Sequence, residues 1–164
     1  MDDELAALSE RVGAAMCERS LTLATSESCT GGWASQVVTH TAGSSRWFDR
    51  GFVTYTNAAK ADMLGVRSIT IERFGAVSME VAAEMAAGAL DNSKAVISLA
   101  ISGIAGPAGG SPEKPVGTVC FGWCLRGQTP ETEIRRFGGD REAVRRQAVI
   151  HALEGLLRRA KSMP

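Results

Sequence analysis

The sequence predicts a three-layer α/β/α fold, a single domain over residues 1–164 with a mixed central sheet. Three observations carry that prediction. Short runs rich in β-branched and aromatic residues alternate with segments of helical periodicity, the pattern of an α/β chain. The run "AVISLAIS", residues 95–102, is almost unbroken apolar sequence, which suits a strand covered on both faces. No linker, repeat or low-complexity segment divides the 164 residues, a length at which roughly two-thirds of the unfolded surface is buried.

The elements follow in order. Leu5, Leu8, Val12 and Ala15 recur at helical steps, with Glu4, Arg11 and Glu18 on the polar side, so the first segment is a helix ending near Arg19. "LTLAT" is a short strand, and "GWASQVVTHTAG" a helix closed by Gly43. "FDRGFVTYT" is a strand, followed by a short helix that Asn57 caps and Gly65 ends. Tyr55 then lies near a strand end and Lys60 in the first helical turn. Ser78 caps the alanine-rich helix that stops near Asn92. After the apolar run comes "GIAGPAGGSPEKPVG", with five glycines and three prolines, an irregular loop. "TVCFGWCL" and "ETEIRRF" are two further strands joined by the turn "RGQTP". Asp140 caps a last helix whose Val144, Ala148, Val149, Leu153 and Leu156 form one apolar stripe.

Composition narrows the function. Eighteen basic residues balance eighteen acidic ones, so no global field favours nucleic acid or an anionic membrane. No apolar run approaches the 18 or so residues of a membrane span, and the N-terminus is acidic and amphipathic where a secretory signal is basic and apolar. A soluble cytoplasmic protein is expected. Cys17, Cys29, Cys120 and Cys124 form no Cys-x-x-Cys, and His40 and His151 are far apart, so no metal site is expected. Cys120 and Cys124 share one strand face and are expected to be buried free thiols.

Ligands of open α/β sheets bind beyond strand ends. Three junctions qualify. The first is "SESCTGGW", Ser26 to Trp33. A serine before a helix is ordinarily an N-cap, but capping employs one residue and three hydroxyls stand here. Assigning Thr30 to the cap leaves Ser28 free to project from the turn. Gly31 and Gly32 let an anion or a carbonyl oxygen approach the amides at the helix N-terminus, as a phosphate cradle or an oxyanion hole. A nucleophilic serine needs a base, and neither histidine has a carboxylate beside it in sequence. Lys60, at the second junction, is the alternative. An ordinary lysine is neutral in about one molecule in a few thousand at pH 7, and lowering its pKa to about 7 takes roughly 4 to 5 kcal/mol of destabilisation of the cation. Lys60 is therefore either a base held out of water or a solvated surface lysine, and its charge-poor surroundings permit the first. At the third junction, Ser102 and Gly103 open the glycine-rich loop and offer a hydroxyl and an amide to a ligand. Arg141 and Arg145, one helical turn apart, form a fork for phosphate or carboxylate, or with Arg146 a solvated or subunit-contact face.

Together, "SESCTGGW", "GSSRWFDRGFVTYTNAAKADMLGV", "GAVS", "ISGIAGPAGGSPEKPVGTV" and "GDREAVRRQA" resemble the CinA C-terminal domain family across essentially the whole chain. The resemblance implies hydrolysis of the carboxamide of nicotinamide mononucleotide to nicotinic acid mononucleotide and ammonia. It implies a serine, a tyrosine and a lysine at Ser28, Tyr55 and Lys60, with no metal or other cofactor. It also implies the free-standing form of a domain that often follows a larger one. Ser26 departs from the family pattern, which has a small apolar residue there. Thr30, Gly31, Gly32, Ser102, Gly103, Arg141 and Arg145 are the expected substrate and phosphate contacts, and Cys29 is the rival nucleophile. A homodimer is expected. A nucleotide-binding or regulatory module without turnover is the alternative, and the charge state of Lys60 discriminates the two.

Overall fold

The computed structural model describes residues 1–163. Its secondary structure runs α1 (Asp3–Glu18), β1 (Leu23–Glu27), α2 (Trp33–His40), a 3-10 turn (Ser44–Arg46), β2 (Phe48–Val53), α3 (Asn57–Leu64), α4 (Ser68–Phe74), α5 (Met79–Asp91), β3 (Ile97–Gly103), β4 (Thr118–Leu125), β5 (Glu131–Arg136) and α6 (Arg141–Ser162). The five strands form one mixed sheet in the order β2-β1-β3-β4-β5. β1 runs parallel to β2 and β3, whereas β4 is antiparallel to both β3 and β5.

Alternation along the strands divides the core into two layers. Leu23, Ile97, Leu99, Ile101, Phe121 and Trp123 face α1, α2 and α6. Ala24, Ala100 and Cys124 face α5, which presents Val81, Met85 and Ala86, with Leu64 of α3 beside them. The first layer carries the large side chains and therefore most of the hydrophobic stabilisation, at about 1.5–3 kcal/mol for each fully buried large apolar residue. The second is thin because small residues let α5 lie close to the sheet. Among the described residues no helix is long and apolar enough to cross a membrane.

Most expected elements are present, with informative corrections. Strand β1 starts at Leu23, two residues later than expected, and continues through Ser26 and Glu27. Helix α3 is capped by Thr56, whose hydroxyl accepts from the Ala59 amide at 3.1 Å, rather than by Asn57. Gly43 does not close α2; it sits left-handed ahead of the 3-10 turn. Helix α4 was not expected at all. Its Arg67 amide and guanidinium and its Thr70 hydroxyl all bond Glu84 of α5, so a distant carboxylate organises a segment without local periodicity. Cys120 and Cys124 are buried and, like Cys17 and Cys29, free.

Because β1, β2 and β3 are parallel, their carboxyl ends emerge on one edge of the sheet. Every junction singled out in the sequence opens there.

Candidate active site

The turn beyond β1 begins with an anchored serine. The Ser28 amide donates to Ile101 O at 2.9 Å, extending the pairing with β3, while the side chain leaves the sheet. Gly31 and Gly32 have φ of 59° and 98°, left-handed values that a side chain would strain, and they bring the chain round into α2. Thr30 is not the helix cap. Its hydroxyl donates to Glu27 Oε1 at 2.7 Å, and Glu27 itself caps α2 by accepting the amides of Ala34 at 2.8 Å and Ser35 at 3.1 Å. The Ser35 hydroxyl adds a fourth bond at 2.8 Å. This wholly buried carboxylate, rather than a hydroxyl, satisfies the orphan amides.

Lys60 meets Ser28 across the pocket. β2 continues β1's ladder through the Thr54 amide, which donates to Glu27 O at 2.8 Å, and the chain then turns into α3. The fourth residue of that helix points its side chain back under the strand ends. Lys60 Nζ donates to Ser28 Oγ at 3.0 Å and to Thr54 O at 2.9 Å, and only 1% of the residue is exposed. Burial pushes its pKa below the usual lysine value, with the Cys29 thiol a small opposing influence. The desolvation that a lysine base requires is therefore present. Cys29, the rival nucleophile, is disfavoured: burial raises its thiol pKa to about 11. It is a thiol rather than a thiolate near neutrality.

The cavity above this pair has a volume of about 290 Å³ and is lined by Ser28, Cys29, Tyr55, Lys60, the 102–110 loop and Arg141. Tyr55 stands at its rim, 57% exposed, and its hydroxyl accepts from Arg141 Nη2 at 2.9 Å. No hydrogen bond joins it to Ser28 or Lys60 among the described residues. Arg141 also donates to Gly106 O at 2.9 Å, so one guanidinium ties two walls together. The Ser102 hydroxyl donates to Ala76 O at 2.7 Å and holds the loop before α5 against the sheet. Gly103 provides room: a Cβ there would lie 2.7 Å from Val119 Cγ2 and 3.1 Å from Cys29 Sγ. Ser26, the departure from the family pattern, turns away under the sheet and donates to Leu99 O at 3.3 Å.

Beside the cavity lies an open cleft of about 680 Å³ bounded by Thr30, Gly31, Gly32, Trp33, Arg141 and Arg145. Arg145 does not line the Ser28 cavity. Its guanidinium lies 5.4 Å from the Trp33 ring centroid and donates to Cys29 O at 3.0 Å and Thr30 O at 3.2 Å. Arg146 turns outward to Asp2, the N-cap of α1, and to Glu4 in its first turn, at 3.1 and 2.6 Å. Sequence reasoning missed Thr54, whose role is played by its backbone and leaves no residue-type signal. It also missed the role of Glu27, whose carboxylate caps α2 from the end of the preceding strand. Among the described residues no three His, Cys, Asp or Glu side chains gather as metal ligands would.

The chain is 56% identical over 155 residues to the nicotinamide-nucleotide amidohydrolase PncC of Escherichia coli (strain K12), covering 94% of each. It is 48% identical over 155 residues to the protein of the same name from Pseudomonas putida, covering 94% of this chain and 96% of that one. Its fold superposes on the crystal structure of the competence/damage inducible protein CihA from Agrobacterium tumefaciens with a TM-score of 0.93 and 44% identity, over 96% of each chain. The family model described as the CinA C-terminal domain matches residues 5–160. The chain belongs to the CinA C-terminal domain family.

Proposed function

We propose that this protein is an amidohydrolase that converts nicotinamide mononucleotide to nicotinic acid mononucleotide and ammonia by acyl transfer to Ser28. The observation that carries the reading is the 3.0 Å contact between Lys60 Nζ and Ser28 Oγ in a place where the lysine is withheld from water. The substrate follows from the names of the relatives at 48% and 56% identity.

Neutral Lys60 accepts the Ser28 proton as Oγ attacks the carboxamide carbon. Backbone amides of the turn stabilise the resulting oxyanion, and collapse expels ammonia after the leaving nitrogen takes the proton from Lys60. Water, deprotonated by the same lysine, then attacks the acyl-serine and releases the carboxylate with Ser28 restored. Tyr55 and Arg141 stand where the rest of the nucleotide leaves the cavity. Arg141 is the fork available to a phosphate there, and the Tyr55 hydroxyl holds it in place. A binding module without turnover would gain from a charged Lys60, whereas its lowered pKa supports a base.

The deciding measurement is ammonia release from nicotinamide mononucleotide, with nicotinamide riboside as a phosphate-free control. Wild-type protein releases ammonia and strongly prefers the mononucleotide, while Ser28→Ala loses turnover. A Ser28→Ala protein working at the wild-type rate would end this assignment.

A further inference from the structure

We propose that Arg145 is a positioning residue: its guanidinium holds the turn after Ser28 so that the N–H groups of Cys29 and Thr30 form the oxyanion site. The inference rests on the reading of Ser28 as nucleophile given above.

Its basis is peptide geometry. In a trans peptide the carbonyl and the following N–H point in opposite directions. The cis peptide of the described residues is Gly106–Pro107, so the turn is trans throughout. Arg145 Nη2 draws the Thr30 carbonyl toward itself at 3.2 Å, which turns the Gly31 N–H the other way, where it donates to Ser28 O at 3.0 Å. The Ser28 carbonyl is thereby drawn into the turn. The Cys29 N–H, at the opposite end of that same peptide, must face out of it. Arg145 Nε holds the Cys29 carbonyl at 3.0 Å, so the Thr30 N–H is also turned away from the arginine.

Two buried donors are left over. The amides of Ser28, Gly31 and Trp33 all have backbone acceptors, but among the described residues those of Cys29, Thr30 and Gly32 have none, and of these three Gly32 alone is partly open to solvent. Thr30 is fully buried and Cys29 is 6% exposed, and buried amides without a partner are rare. Cys29 directly follows the nucleophile and lines its cavity. Donors that wait unpaired beside a nucleophile suit a charge that exists only in the transition state. Arg145 is fitted to hold this arrangement from outside. It faces the neighbouring cleft, its position is braced by Trp33, and from the other side Glu27 holds the Thr30 hydroxyl.

The test uses Arg145→Met, which keeps the apolar stem but removes both bonds, and Arg145→Lys, which can restore one. With nicotinamide mononucleotide, kcat of Arg145→Met falls about a hundredfold, and KM stays within about threefold. The lysine variant recovers part of the loss, and nicotinamide riboside suffers the same factor as the mononucleotide. Unchanged kcat, or a loss confined to KM or to the phosphorylated substrate, would overturn the inference, the last by making Arg145 a phosphate ligand. Amide hydrogen exchange supplies a readout without turnover. In Arg145→Met the amides of Cys29, Thr30 and Gly31 exchange about tenfold faster while those of β3 keep their protection, showing that the variant is folded. Equal exchange in the turn would also overturn it. A wild-type protein that releases no ammonia would sink the proposed function instead, and the exchange result would still decide whether Arg145 holds the turn.

Discussion

Glu27 and Lys60 lie on the two sides of the same turn, and both are withdrawn from solvent, at 0% and 1% exposure. Their surroundings could hardly differ more. Glu27 receives four hydrogen bonds, from Thr30, Ala34 and both donors of Ser35, at the positive end of α2. Lys60 has two acceptors, a hydroxyl and a carbonyl, and no carboxylate. The protein replaces water around the first group and withholds it from the second. A buried ionisable group that is fully bonded holds structure, whereas one left short of partners shifts toward its neutral form and becomes available for proton transfer.

The sharpest way to break this comparison is Lys60→Met. Turnover is expected to fall by about three to four orders of magnitude, as for loss of a general base, while resistance to urea stays the same or rises because an amine whose burial is unfavourable has gone. Equal destabilisation and inactivation would show Lys60 to be structural, like Glu27. The pH dependence carries the same distinction. With its folded pKa below the ordinary lysine value of about 10.5, Lys60 binds fewer protons in the native state than in the unfolded chain between those two values. Its contribution to stability therefore rises with pH across that window. The kcat limb rises at the lowered pKa as the neutral base forms. In Lys60→Met the rising contribution to unfolding free energy disappears.

Glu27→Gln should reverse the pattern. Its amide group would face donors with donors, at a cost of about 1–3 kcal/mol in urea unfolding, and loosen α2 while leaving the Ser28 to Lys60 contact in place. Activity per folded molecule should fall by far less than in Lys60→Met, and a loss of the same size would erase the distinction. Ser26→Ala is the smallest change. The hydroxyl bonds Leu99 O under the sheet, so kcat and KM stay within about twofold and stability within about 1 kcal/mol. A large kinetic effect would mean that Ser26 shares the nucleophile's work.

The strands, five of the six helices and the three junctions were legible because each rests on local pattern: alternation, helical stripes, Ser78 and Asp140 as caps. Cap identities were less so. Thr30 looked like the cap because it precedes α2, but a carboxylate reaching from the strand end is stronger, and nothing local says that Glu27 points under the helix. Helix α4 was hidden for a similar reason, since Glu84 that organises it lies in another element. The pairing of Ser28 with Lys60, 32 residues apart, was left open by the residues, which allowed a solvated lysine equally, and was singled out by family resemblance, because contacts across a sheet leave no spacing rule. Arg145 was found as a residue, but nothing local says that its guanidinium bonds the Cys29 and Thr30 carbonyls. An arginine aimed at backbone carbonyls and one aimed at phosphate have the same letter and the same helical position.

The parallel register of β1 and β2 pairs Glu27 with Val53, so the first residues beyond both strands leave the sheet side by side. Ser28 starts from one of these exits, and Thr54, which anchors the lysine, occupies the other. The spacing of Ser28 and Thr54 is thus set by neighbouring strands, about 4.8 Å apart as in all sheets. Loops around the pocket can lengthen, shorten or change sequence without disturbing that ruler, which is lost only when the sheet itself comes apart.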